Sequence, residues 1–226
     1  MTLSMLEDRI LFVDGEAIVI DKPAGLAVDP PRAGGDSVTD RLSELRLGFQ
    51  REPVLMHRLD RDTSGCLLLA RNPKAVKRFQ AAFEAGEVEK VYLAALDGVP
   101  EGAEGEIALP LAKVSSAAEG WRMVPDDGGK PARTRWRLIA TRDGQSLVEL
   151  RPLTGRTHQL RVHAARGLGA AIIGDPVYSD AGDDPAQPML LHSWKLNVPR
   201  AAKPAIAVVA PVPDSFGLWH DFLDEA

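Results

Sequence analysis

The dipeptide Asp143-Gly144 does most to limit what this chain can fold into. Asp-Gly between extended runs favours a tight hairpin turn, because both central residues must adopt positive φ. The runs on either side are Lys130–Leu138 and Ser146–Pro152, so two neighbouring segments are tied into an antiparallel pair. A doubly wound α/β fold, which needs crossovers of a dozen or more residues between parallel strands, is disfavoured. Further strands are expected at Ile10–Gly15 with Ala17–Asp21, at Cys66–Ala70 and at Glu89–Leu96. Asp36 to Asp40 offer caps for a helix reaching about Leu47, with Val38, Leu42 and Leu45 on one face. Asn72 as cap and Pro73 at the first position predict a helix to about Gly86 that buries Val76, Phe79, Ala82 and Phe83. The pattern is α+β, a mostly antiparallel mixed sheet with flanking helices. The 226 residues are read as one domain, with the Gly-, Glu- and Asp-rich stretch 98–130 as a peripheral insertion or flap.

Composition narrows the setting. No apolar run approaches the roughly 18 residues of a membrane helix. The start, Met1 to Arg9, lacks the basic and apolar segments of a secretory signal. Cys66 is the only cysteine, so no internal disulfide can form, and a cytoplasmic location is expected. Its place in an apolar run makes it a core residue rather than a nucleophile. The net charge is −5, yet residues 130–166 hold nine basic residues against Asp143 and Glu149, a local excess of +7. Eight of the nine are arginine, whose planar fork suits phosphate. That segment is either a polyanion-binding face or an exposed strand whose arginines pair with acids elsewhere.

Two polar stretches carry the chemistry. His57-Arg58-Leu59-Asp60-Arg61-Asp62-Thr63-Ser64-Gly65 runs straight into the apolar Cys66–Ala70, which reads as a functional loop anchored by a buried strand. By itself it could also be a charged hairpin with internal ion pairs. An Asp60/Asp62 carboxylate pair of the hydrolase kind lacks a second acidic motif in support. The other stretch is Leu153-Thr154-Gly155-Arg156-Thr157-His158-Gln159-Leu160-Arg161-Val162-His163. A helix capped at Thr157 would put His158 and Arg161 on one face. Neither histidine has the spacing or the thiolate company of a metal site.

The two stretches, in this order and with the strand–DKPAGLAV segment before them, resemble the RluA-type pseudouridine synthases. The similarity extends over Lys90-Val91-Tyr92, Gly174–Tyr178 and Met189–Ser193, with serine at 193 where that family usually has alanine. It covers about residues 10–223 and implies the pseudouridine synthase fold with its active-site cleft. It further implies isomerisation of uridine within ribosomal or transfer RNA.

By the same resemblance Asp60 is the catalytic carboxylate, Arg161 its partner, and Tyr92 the contact to the target uracil. Arg58 enters the RNA stack as the base leaves, and Leu191 lines the uracil pocket. His57, Thr63, Arg156 and His158 are further candidates for RNA contact or base flipping. Relatives often carry an N-terminal RNA-binding domain of the S4 type, for which this sequence has no room. The reaction exchanges no electrons and hydrolyses nothing, so no metal, redox group or nucleotide cofactor is expected. RNA is the expected partner, without a membrane, for a monomeric enzyme. The competing reading is a non-catalytic RNA-binding or ribosome-assembly protein on the same fold.

Overall fold

The structure is a computed structural model that describes residues 5–31, 34–116, 120–179 and 187–223. Residues 32 and 33, in the Pro- and Gly-rich stretch 30–36 that composition marks as a loop, lie outside the described residues. In chain order the first six strands are β1 (Ile10–Val13), β2 (Ala17–Lys22), β3 (Val54–Leu55), β4 (Ser64–Ala70), β5 (Glu89–Leu96) and β6 (Glu104–Ala108). The other six are β7 (Leu111–Ser116), β8 (Gly120–Pro125), β9 (Arg133–Arg142), β10 (Gln145–Pro152), β11 (Leu191–Val198) and β12 (Ile206–Val209). The α-helices are α1 (Pro73–Glu84) and the single turn α2 (Gln159–Val162). The chain divides into two compact units, Met1–Lys90 with His192–Val212, and Val91–Leu191 with Pro213–Ala226.

The first unit is built on β4, every residue of which is buried. It pairs antiparallel with β2 and β3, and in parallel with β11 through His192↔Ser64 and Ser193↔Gly65. That pairing makes the sheet mixed. Helix α1 begins as the sequence predicts: Asn72 accepts the Ala75 N–H at 2.9 Å and Pro73 occupies the first turn. Its buried face, Ala75, Phe79 and Ala82, lies against Val19, Cys66, Leu68 and Leu196. Enclosing one such phenylalanine contributes about 1.5–3 kcal/mol. Burial pushes the Cys66 thiol up to about 12, in keeping with a core residue.

The helix expected at 38–47 is instead a 3₁₀ helix, Thr39–Leu45. Leu47 and Gly48 take positive φ and end it, although Val38 and Leu45 are buried as their spacing implies.

In the second unit β10 pairs antiparallel with both β5 and β9, and β9 pairs with β6. The hairpin turn is where the dipeptide places it, with φ of 51° at Asp143 and 78° at Gly144. Stretch 98–130 supplies β6 to this ladder and adds a separate hairpin, β7–β8. Leu111 and Met123 of that hairpin pack on Val162, Ala165 and Tyr178.

The basic segment resolves in favour of paired charge. Arg133, Arg135 and Arg137 alternate outward along β9. Glu106 takes Arg133 at 2.6 Å and Arg135 at 3.6 Å, while Glu149 takes Arg137 at 3.3 Å and Arg151 at 2.6 Å. Four of the eight arginines thus pair with just two carboxylates, Glu106 on β6 and Glu149 on β10.

Candidate active site

In the first unit the loop 57–65 is fastened from beneath by Lys22. This lysine is fully buried at the end of β2, and its ammonium donates to the carbonyls of Pro23, Leu26 and Arg61 at 2.8, 2.8 and 2.9 Å. Three carbonyl acceptors match the three N–H groups of an ammonium, so the pocket is built for the charged form. Burial lowers the Lys22 pKa to about 7, against the pull of the Asp62, Asp60 and Asp21 carboxylates. The Arg61 carbonyl also accepts the Gly25 N–H at 2.9 Å, where glycine holds φ at 85°.

At the other end of the loop Gly65 has φ of 103°, and a side-chain carbon there would run into the Ser193 carbonyl of β11. The glycine is therefore a packing requirement. Between these anchors the Thr63 N–H donates to the Asp60 carbonyl at 3.2 Å, turning the chain so that the Asp60 side chain is partly buried.

The other loop residues separate into inward and outward groups. His57 faces inward: its Nε2 accepts the Leu68 N–H at 3.0 Å and its ring lies 5.5 Å from that of Phe83. Thr63 is buried within the turn. Arg58 is exposed and meets Asp29 at 3.0 Å, and Arg61 pairs with Asp62 at the same distance. Both inward positions suit a side chain that sets the loop's shape.

Burial pushes His57 down to about 4, and does the same to His192, which is bonded to Ser64 Oγ at 2.8 Å. Both are neutral in the fold and titrate near 6.5 when unfolded. Between pH 6.5 and 4 the unfolded chain therefore binds more protons, so this contribution to stability is complete above pH 6.5 and is lost as pH falls toward 4. Each histidine is expected to cost about 1.4 kcal/mol per pH unit across that window. Urea unfolding of the wild type and of His57→Gln at pH 7 and pH 5 checks it, because the variant must show the smaller acid loss.

The second unit gathers Tyr92, Arg156, His158, Arg161 and Leu191. Tyr92 is buried on β5 opposite Leu150, and Leu191 is buried at the start of β11. The helix α2 does not start from a Thr157 cap. His158 stands before it with φ of 52°, a left-handed conformation, and makes no side-chain cap. The turn is stabilised instead by buried Gln159, whose Oε1 accepts from Thr154 Oγ1 and from the Arg156 N–H at 2.7 and 3.0 Å. Its Nε2 donates to Thr134 Oγ1 and to the Arg133 carbonyl, both at 3.0 Å. Arg156 itself is exposed, donating to the Pro131 carbonyl at 3.0 Å.

His158 and Arg161 nevertheless converge, because both meet Tyr178. The His158 Nδ1 lies 2.9 Å from the Tyr178 hydroxyl, and the Arg161 guanidinium lies 5.2 Å over its ring. Arg161 is buried and held by Asp175 through two bonds of 2.7 Å, from Nε and Nη2. Asp175 also accepts the N–H groups of Val177 and Tyr178.

In the sequence Gly174–Tyr178 stands only as part of the family resemblance, which does not contain the pairing of Asp175 with Arg161. An acid bracketed by glycine and proline, Gly174-Asp175-Pro176, is the signal the sequence offers. His163 is likewise structural, bonded to Thr134 and to the Leu109 carbonyl. Among the described residues no histidine, cysteine or carboxylate cluster could hold a metal, and no helix is long and apolar enough to cross a membrane.

The α+β fold is shared with solved pseudouridylate synthase domains. Two solved structures show it: human RNA pseudouridylate synthase domain containing 4 and 1, with TM-scores of 0.77 and 0.76, each 28% identical and covering 93% of this chain and 91% and 86% of theirs. Residues 16–166 match the RNA pseudouridylate synthase family, and the chain belongs to it.

An uncharacterized RNA pseudouridine synthase of Zymomonas mobilis is 53% identical over 95% of this chain and 98% of its own. A mitochondrial pseudouridylate synthase of Xenopus tropicalis is 36% identical over 95% and 75%. A ribosomal large subunit pseudouridine synthase D, also of Zymomonas mobilis, is 36% identical over 75% and 55%. The chain is accordingly an isomerase acting on RNA, with the α+β fold and RluA-type membership that its motifs imply.

Proposed function

We propose that this synthase isomerises uridine in ribosomal or transfer RNA, with Asp60 as the reacting carboxylate. The observation that carries the assignment is the Lys22 anchor, which commits a buried cation to holding the Asp60 loop by its backbone. The N1–C1′ bond breaks, the base turns, C5 bonds to C1′, and the C5 proton leaves as N1 gains one. Asp60 supports this either by attack at C1′ or by proton abstraction at C2′. Arg161, oriented by Asp175, is the arginine that the family resemblance assigns to the reaction, and Tyr92 and Leu191 receive the uracil.

Arg58, the most exposed arginine of the loop motif, fills the space left by the flipped base and offsets part of an unstacking cost of a few kcal/mol. His57 and Thr63 shape that loop, and Arg156 and His158 face the RNA from the second unit. The relatives named for the large ribosomal subunit favour ribosomal RNA as the target. The enzyme works as a cytoplasmic monomer without a cofactor.

Tritium release from C5-tritiated uridine, in separate ribosomal and transfer RNA pools, tests the proposal. Release from one pool names the substrate. Release from neither, with RNA binding intact, would overturn it in favour of a binding protein.

A further inference from the structure

Four tryptophans are present, and three of them, Trp136, Trp194 and Trp219, are at most 8% exposed. Trp121 on β8 is 45% exposed. It projects from the same face of the β7–β8 hairpin as Met123, one register step beyond the contact with Val162 and Tyr178. Its ring is seated on His158, 4.8 Å between centroids and tilted by 36°. His158 is in turn fixed by the Tyr178 hydroxyl, which also accepts the Met123 N–H at 3.0 Å. The indole thus stands on a braced support.

Lys113, across the hairpin, holds its ammonium 4.8 Å over the Trp121 ring. Arg156 and Lys130 lie exposed beside the hairpin base, where Lys130 bridges to Leu111. Asp126 and Asp127 follow Pro125 at that same base, at the other end of β8 from Trp121.

From this geometry we infer that Trp121, seated on His158, is a stacking platform for an unpaired nucleobase of the RNA substrate, with Lys113 taking the adjoining phosphate. The inference rests on the reading of the substrate as RNA. A large π surface beside a mobile cation is the pairing that single-stranded nucleic acid uses, since every base has a stackable face and every nucleotide carries a charge. An arriving base displaces the exposed Lys113 ammonium from the indole, and the freed cation neutralises a phosphate. Paired bases cannot lay a face on the indole, so the platform selects single-stranded or splayed regions. It lies on the second unit with Arg161 and Tyr92, and extends recognition to a nucleotide other than the one isomerised.

Because Trp121 is the one exposed tryptophan, its fluorescence reports the platform directly. Titration of the Asp60→Asn protein with single-stranded oligoadenylate is expected to quench it, and the same strand annealed to oligouridylate is expected to leave it bright. In the active protein Trp121→Ala is expected to raise KM for the RNA about ten-fold with kcat unchanged, and Trp121→Phe to restore most of that loss. Equal quenching by duplex, no quenching by single strand, or an unchanged KM in Trp121→Ala would each overturn the inference. Wild-type tritium release on the same RNA keeps the two readings apart. Release without quenching removes the platform and leaves the synthase, whereas quenching without release leaves the platform on an RNA-binding protein.

Discussion

Asp60→Asn is expected to lower pseudouridine formation on the order of 10⁴-fold while RNA binding survives. Asparagine keeps the size of the side chain but offers neither a nucleophilic oxygen nor a base at neutral pH. The turn that presents it is made by the backbone: the Asp60 carbonyl accepts the Thr63 N–H, and Lys22 and Gly25 hold the Arg61 carbonyl. None of these bonds uses the Asp60 carboxylate, so the loop should keep its shape. One electrostatic consequence needs control. The Asp60 charge helps to hold up the pKa of Lys22, which is already lowered to about 7. Assays somewhat below pH 7 keep that ammonium protonated in both proteins. Tritium release gives the activity and filter binding the affinity. Ordinary turnover by the asparagine variant would remove Asp60 from the chemistry.

Asp175→Asn is expected to destabilise the protein by about 3–5 kcal/mol, the usual cost of removing one partner of a buried ion pair. The Arg161 and Asp175 side chains are 5% and 0% exposed, so the guanidinium has little access to bulk water to replace the lost charge. The amide also loses one acceptor of the fork that receives Nε and Nη2. Chemical denaturation at neutral pH measures the loss.

A second readout separates position from stability. If Asp175 orients Arg161 for the reaction, kcat at a temperature well below the melting transition should fall with little change in KM. A variant as stable as the wild type would mean that the pair contributes nothing to the fold.

The parts of this molecule that could be read from sequence are those fixed by local chemistry. Asp143-Gly144 made its hairpin because the turn type demands positive φ from both residues. Asn72-Pro73 started α1 because one side-chain oxygen and one missing N–H settle a helix end. The loop 57–65 was legible as a site because charge crowds against a buried strand.

What escaped depends on partners distant in sequence. Nothing within β9 says that Arg133 and Arg135 share Glu106, because that acid arrives from 27 and 29 residues away. The pairing of Asp175 with Arg161 is of the same kind, 14 residues apart and across a turn. The left-handed His158 defeated the expected Thr157 cap, since its conformation answers to Gln159 and Tyr178 rather than to its own propensity. His57 is a candidate for RNA contact by resemblance, and only the fold shows its ring nitrogen accepting the Leu68 N–H.

The Lys22 anchor also governs which substitutions the catalytic loop can absorb. Its grip falls on main-chain oxygens, and the one in the loop belongs to Arg61, whose own side chain points to solvent and pairs only with its neighbour Asp62 among the contacts described. Any residue presents the same carbonyl. Position 61 is therefore free to drift chemically while the loop stays fastened, whereas Lys22, fully buried with its ammonium on three carbonyls, and Gly25, held at positive φ, are not. Mutational tolerance here is set by which half of the residue, backbone or side chain, the fold has chosen to hold.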